Sequence, residues 1–341
     1  MKIKQIFNIK GQLPIRDPYI MGAYHYDRYP KGNGEMGPNV DVSQKANGSD
    51  FNPDASWRMY HGDKIPGFPY HPHRGFEIVT YVPIGYADHC DSRGSRGRYG
   101  QGDVQLMSAG KGVLHSEMFP LIHDDKENPL RLFQIWLNLP AKSKLTEPDY
   151  KMIWAEQLPE GSVDGGNGTK VDVKVLLGNY NGIQSVQPLT NSWAADPNNH
   201  VGIATLEMEA GSTFKLPAVT ASLSRFLFFY EGNGQITIEG NPMKSNQMAD
   251  LNGAEEIEIT NGNQPAKILI LEGEPIGEPV AAHGPFVMNT YEELQTSFEE
   301  YQKTQFGGWP WGPTERDMVN PKDAGRFASY DFDQVIDRPQ Q

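Results

Sequence analysis

Cysteine is nearly absent: Cys90 stands alone among 341 residues, so no intramolecular disulfide can form. No cysteine spacing matches a zinc ribbon or an iron-sulfur cluster. Long apolar runs are missing too, and the opening MKIKQIFNIKGQLPIRD lacks a leader-like apolar core. Together these absences predict a cytoplasmic protein with no membrane contact. Basic charge is in deficit, with 30 Lys plus Arg against 43 Asp plus Glu and a formal net charge of −13. That balance opposes direct binding to a nucleic acid. The one arginine cluster, SRGSRGRYG at residues 92–100, is interleaved with glycine and reads as a solvated hairpin loop. Cys90 follows His89, but no partner that would orient a nucleophile is visible, so it reads as an incidental loop thiol.

Glycine and proline are plentiful, 36 and 26 residues, and they punctuate short apolar runs along the whole chain. This is the pattern of an all-β protein. FEIVTYV from Phe76, VQLMSA after Gly102 and LRLFQIWLNL from Leu130 read as buried strands. A second series begins at Val201 with VGIATLEM and continues through SRFLFFYEG, GQITIEG, EEIEIT and KILILEG. Between the two series, PAKSKLTEPDY and EGSVDGGNGTK break the pattern. The chain therefore divides into residues 1–150, 151–308 and an irregular tail, 309–341. Residues 30–55 are polar and without apolar periodicity, which predicts a long surface loop. One helix is clear: Thr290 and Glu293 have capping-box spacing, Tyr291, Leu294, Phe298 and Tyr301 form an apolar stripe, and Gly307 and Gly308 stop it.

Chemistry concentrates in two short stretches. In HPHRGFE, His71 and His73 fall on one face of a strand, because side chains alternate. In KGVLHSEMF, His115 and Glu117 share the same spacing. A lone HxH is more often solvent-facing polarity, but two such pairs on neighbouring strands would converge three imidazoles and a carboxylate. That set suits one divalent first-row metal with positions left open for water, substrate or dioxygen. Iron(II) is the first expectation; ligand type alone leaves nickel, copper, manganese, cobalt or zinc open. His61 and His89 lie in the same half and read as ordinary loop histidines. His283 is assigned no role.

The series GFPYHPHRGFEIVTY, GDVQLMSAGKGVLHSE and EPVAAHGPFVMNTYEELQTSFEEYQ resembles the pirin family, a branch of the cupin superfamily, from about Ile65 to Phe306. The resemblance implies two β-barrel cupin domains (a bicupin), with the metal in the N-terminal one only. It places the family's ligands on His71, His73, His115 and Glu117. Cupins at large draw their acid from the first motif, where this chain has Glu77; the resemblance gives that place to Glu117 and leaves Glu77 an ion pair or hydrogen bond behind the ligands. EAGSTFKLPA in the second half has no ligand pair, as expected of a metal-free barrel. The loop at 30–55, the arginine-glycine loop and the tail depart from shorter pirins.

Two functions follow from the resemblance. One is a metal-dependent dioxygenase of the quercetin 2,3-dioxygenase type, which opens a flavonol or related phenolic with O2 and releases carbon monoxide. Glu117 would then be both ligand and proton acceptor. The other is a non-enzymatic iron-binding regulator whose redox state alters its affinity for a protein partner. The four ligands suit both.

Overall fold

The computed structural model describes residues 1–45 and 48–340; positions 46 and 47 of the expected loop, and 341 of the tail, lie outside the described residues. The chain is built almost wholly of antiparallel strands, with one α-helix at Tyr291–Thr304. No described helix is long and apolar enough to cross a membrane.

Two units separate, and each is interleaved in sequence. The first comprises Met1–Gly22 with Gln157–Gly277, the second Ala23–Glu156 with Glu278–Gln341. The expected boundaries therefore move at both ends. Ile3–Asn8 is an edge strand bonded antiparallel to Gln247–Asn252, so the N-terminus completes a sheet of the first unit. Residues from Glu278 onward belong to the second, with Ala23–Glu156.

In the first unit an eight-stranded sheet faces a four-stranded one. Thr169–Tyr180 shows why the chain folds this way: Val171, Val173 and Val175 are fully buried, while Lys170, Asp172 and Lys174 between them are not. Period-two alternation sends the valines into a core shared with Phe214, Ile236, Ile259 and Ile270. Burying each such side chain stabilises by about 1.5–3 kcal/mol. EGSVDGGNGTK, expected to break the pattern, instead supplies the strand Glu160–Gly166 and its turn, with Asn167 and Gly168 at positive φ. These two residues make a tight hairpin, not a linker.

Most strands of two six-stranded sheets belong to the second unit. One carries Asp103–Ser108, Phe76–Ile84, Asn128–Asn138 and Tyr19–Tyr29; the other carries Tyr86–Asp91, Val113–Met118 and Gly67–His73. Val82, Leu130, Leu132, Phe119 and Tyr99 close the core between them.

Three local expectations need correction here. The arginine-glycine stretch is a loop only at its start; Arg96–Gly100 is a strand, and Arg98 is buried against Asp88 with Nε and Nη2 each 2.7 Å from a carboxylate oxygen. A buried carboxylate on the neighbouring strand makes a buried guanidinium tolerable. His89 and Cys90 lie within the strand Tyr86–Asp91 and are buried, and burial pushes the thiol's pKa up. Finally, the tail is not wholly irregular, since Phe327–Tyr330 adds to Arg96–Gly100 and forms a hairpin with Val335–Asp337.

The helix has the expected cap, Thr290 with Glu293. Leu294 is buried, and Phe298 and Tyr301 pack with Phe286 and Met288, whereas Tyr291 is 78% exposed and leaves the stripe. Its partners are the strands Ala281–His283 and Phe286–Met288 of the second unit. That is why the helix falls outside the later barrel.

Candidate metal centre

Gly67–His73 runs antiparallel to Val113–Met118 with His71 opposite His115 and Phe68 opposite Glu117. An irregularity between Phe68 and His71 shifts the register there. Alternation then brings His71, His73 and His115 to one face, where a ligand atom from each lies within 4.8 Å of the others. Among the described residues this is the group able to hold a metal.

Hydrogen bonds fix which nitrogens are free. His71 Nδ1 lies 2.9 Å from the Pro69 carbonyl and His73 Nδ1 3.3 Å from that of Pro285. A carbonyl only accepts, so both rings carry their proton on Nδ1 and keep a lone pair on Nε2. His71 Nε2 and His115 Nε2 stand 3.1 Å apart, and His115 Nδ1 is buried without a partner. With metal–nitrogen bonds of about 2.0–2.1 Å, two imidazoles at right angles on one ion sit about 3 Å apart. The nitrogen spacing thus fits a shared cation. Burial lowers the His71 pKa to about 4, and burial with the neighbouring imidazoles holds His73 and His115 well below the usual range. All three are neutral, as metal ligands must be.

Glu117 adjoins this trio and is not part of its mutually close set: Oε2 is 3.9 Å from His115 Nε2. Its carboxylate accepts Gln134 Nε2–H at 2.5 Å and the Thr80 hydroxyl at 3.4 Å. Burial pushes its pKa up, while His89, Gln134 and Thr80 pull it down. Glu77 is fully buried on Phe76–Ile84, in register with Ser108 and Leu137. His89 stacks on Tyr150 and reaches Asp91 at 3.1 Å; His61 is exposed and packs edge-on to Phe51 and Phe68; His283 is exposed near Phe298.

The remaining residues of HPHRGFE serve the frame. Arg74 is buried, donates to the Lys111 carbonyl at 2.7 Å, pairs with Glu300 of the helix at 2.8 Å and lies over Phe306. Gly75 has φ +87, and a Cβ there would meet the Val287 carbonyl oxygen at 1.9 Å. The segment after residue 278 therefore latches onto the histidine strand and orients His73 through Pro285. Sequence reasoning missed this latch, along with Gln134 and Thr80. Both were visible as polar positions inside the apolar runs LRLFQIWLNL and FEIVTYV, beside Arg131, Asn138 and Glu77, where a polar side chain needs a partner.

Comparison with known proteins agrees with this architecture. The pirin family matches residues 41–137, and the pirin C-terminal cupin domain matches residues 203–307. A pirin-like protein of Caulobacter vibrioides is 36% identical over 248 residues, 72% of this chain and 82% of its own length. A Pseudomonas aeruginosa protein named "Putative quercetin 2,3-dioxygenase PA3240" is 35% identical over 243 residues, 70% of this chain and 80% of its own. Among solved structures, a quercetin 2,3-dioxygenase from Acinetobacter baumannii superimposes with a TM-score of 0.70 at 23% identity, covering 90% of this chain and 98% of that one. With two cupin domains, matching family signatures in both halves and relatives above 30% identity across most of its length, the chain belongs to the pirin family.

Proposed function

We propose that this pirin is a mononuclear-metal dioxygenase that opens a flavonol or related phenolic ring, with His71, His73, His115 and Glu117 as the metal ligands and iron(II) as the metal. The observation that carries the reading is the convergence of three neutral imidazoles beside a buried, doubly hydrogen-bonded carboxylate. A bound first-row ion supplies Lewis acidity and a redox partner for O2. The residues supply the rest. The imidazoles stay neutral, and those of His71 and His73 are fixed by their Nδ1–H bonds. Glu117 accepts the proton of the phenolic hydroxyl, and Gln134 and Thr80 stabilise the charged carboxylate and set its direction until then. Trp136, stacked on Phe76 at 4.2 Å and edge-on to His73, forms an apolar wall that limits water.

The test is direct. Protein loaded with iron(II) and given quercetin under O2 should consume the flavonol and release carbon monoxide. No turnover with iron, nickel, copper, manganese, cobalt or zinc would overturn the reading; redox-dependent recovery of a protein partner would then favour the regulatory alternative.

A further inference from the structure

The strand Tyr19–Tyr29 carries a second polar network that the metal reading leaves unused. Asp27 is fully buried; its Oδ1 takes Arg58 Nη1–H at 2.9 Å and its Oδ2 the Tyr60 hydroxyl at 2.7 Å. The Tyr60 oxygen in turn lies 2.7 Å from His25 Nδ1. A phenol has one proton, and the carboxylate, which can only accept while ionised, takes it. His25 Nδ1 must then donate to Tyr60. The imidazole is locked with its proton on Nδ1, and Nε2 is left as a bare acceptor.

The chain goes to some length to hold this arrangement. Tyr60 sits at φ +58, a left-handed conformation that a tyrosine seldom adopts. Its carbonyl accepts the Asp50 N–H at 2.8 Å, and the Asp50 carboxylate accepts the Met59 N–H at 2.9 Å. Arg58 is fixed by the carbonyls of Asn52, Pro53 and Ala55 at 2.8, 3.0 and 3.1 Å. Glu315 of the tail accepts the backbone N–H groups of Asp63, Lys64 and Ile65 at 2.5, 2.8 and 2.8 Å. The polar segment between Tyr29 and Gly67 thus delivers Tyr60 and Arg58 to His25.

His25 is ringed by aromatics, with Tyr60 edge-on at 4.8 Å, Phe68 at 6.1 Å and Phe119 at 6.4 Å. Phe68 is shared with the metal site: its ring centre is 6.4 Å from that of His71, and its register partner is Glu117. His25, Phe68, His71, Gln134 and Trp136 all keep partial exposure, as residues lining an opening would. We propose that His25 is a specificity-determining residue of this site: its Nε2 accepts a hydrogen bond from a hydroxyl on a phenolic ligand whose ring packs against Phe68 while another hydroxyl faces the histidine trio. The inference rests on the phenolic-substrate reading above and gives the segment around Tyr60, braced by Asp50, the task of setting the His25 tautomer.

The experiment uses metal-free protein and two probes, quercetin and the hydroxyl-free flavone, titrated by quenching of tryptophan fluorescence, with the His25 tautomer read from nitrogen chemical shifts by NMR. The wild type should show the Nδ1–H tautomer. His25→Phe should weaken quercetin about tenfold, the worth of one interior hydrogen bond, and leave flavone unchanged. Tyr60→Phe keeps the ring, covers the case in which His25→Phe does not fold, and should release the tautomer while weakening quercetin alone. An Nε2–H tautomer in the wild type, unaltered quercetin affinity, or equal losses for both probes would each overturn the proposal while leaving the metal reading intact. Failure of the wild type to bind either compound, with or without metal, would instead bring down the phenolic reading and this inference with it.

Discussion

Gln134→Leu tests whether Glu117 takes part in metal binding. The Gln134 amide is oriented unambiguously: Trp136 Nε1–H donates to its Oε1 at 3.2 Å, so its Nε2 is the donor to Glu117 Oε2 at 2.5 Å. Leucine keeps the approximate volume and removes that donor, leaving the carboxylate only the Thr80 hydroxyl at 3.4 Å. A hydrogen bond to a buried charged group is worth about 1.5–3 kcal/mol. If Glu117 is a ligand, losing it should weaken metal binding by roughly one to two orders of magnitude, the range seen when residues that orient ligands are removed. His71 and His73 keep their own bonds to Pro69 and Pro285, so binding should weaken and not vanish. Competition against a chelator of known affinity measures this for iron(II) and zinc, with His115→Ala as the reference for outright loss. Unchanged affinity in Gln134→Leu beside lost binding in His115→Ala would refute the role given to Glu117 and spare the histidines.

Three further outcomes are expected. Gly75→Ala combines positive φ with a Cβ placed 1.9 Å from the Val287 carbonyl oxygen, so it should destabilise the protein by more than the roughly 1 kcal/mol of backbone strain and loosen the 281–288 hairpin; hydrogen exchange at Arg74 and Val287 checks this, and a wild-type pattern would contradict it. Arg98→Ala leaves the buried Asp88 carboxylate without its cation, with the Asn320 N–H at 2.7 Å as its remaining partner, and takes the donor from the Asn320, Pro321 and Lys322 carbonyls, so it should cost about 3–5 kcal/mol in urea unfolding; a loss under about 1 kcal/mol would show the pair to be incidental. Around His25 the pH dependences oppose each other. Burial, with the Arg58 charge, lowers the His25 pKa to about 4, so its contribution is lost as pH falls from 6.5 towards 4; burial raises that of Asp27 to about 6 against Tyr60 and Arg58, so its contribution is lost as pH rises from 3.8 to 6. Asp27→Asn should therefore make stability fall more steeply on acidification through this window, and His25→Phe should do the reverse; matching slopes in the two variants would refute the assignment.

Much of the fold could be read from the chain because its strands announce themselves twice, by β-branched composition and by alternation. Val171, Val173 and Val175 do both, and the strand they predict is there. The capping box at Thr290 was equally plain, since it depends on residues three apart. What failed to show were relations between distant residues. Nothing in MKIKQIFN says that Ile3–Asn8 will pair with Gln247–Asn252, because an edge strand needs only a partner with free backbone groups and not a sequence signature. The arginine-glycine stretch misled for the same reason: Arg98 reads as solvent-facing until Asp88 is known to lie across the strand pair.

The site divides along the same line. That His71, His73 and His115 would lie close together was legible because period-two spacing is itself a geometric statement, and two such pairs could be checked against each other. The groups that hold them were hidden because they act through backbone carbonyls or single polar atoms. Pro285 orients His73 with an oxygen that any residue would offer, so its position alone carries the information. Gln134 and Thr80 are different, for a polar side chain in a buried apolar run must find a partner, and a barrel interior offers few besides the ligands. A polar residue within a predicted core strand beside candidate ligands is therefore a candidate for orienting one of them. His25 extends the argument: on Tyr19–Tyr29 it shares a face with Asp27 and Tyr29, and the alternation that buries those two turns its ring into the same interior.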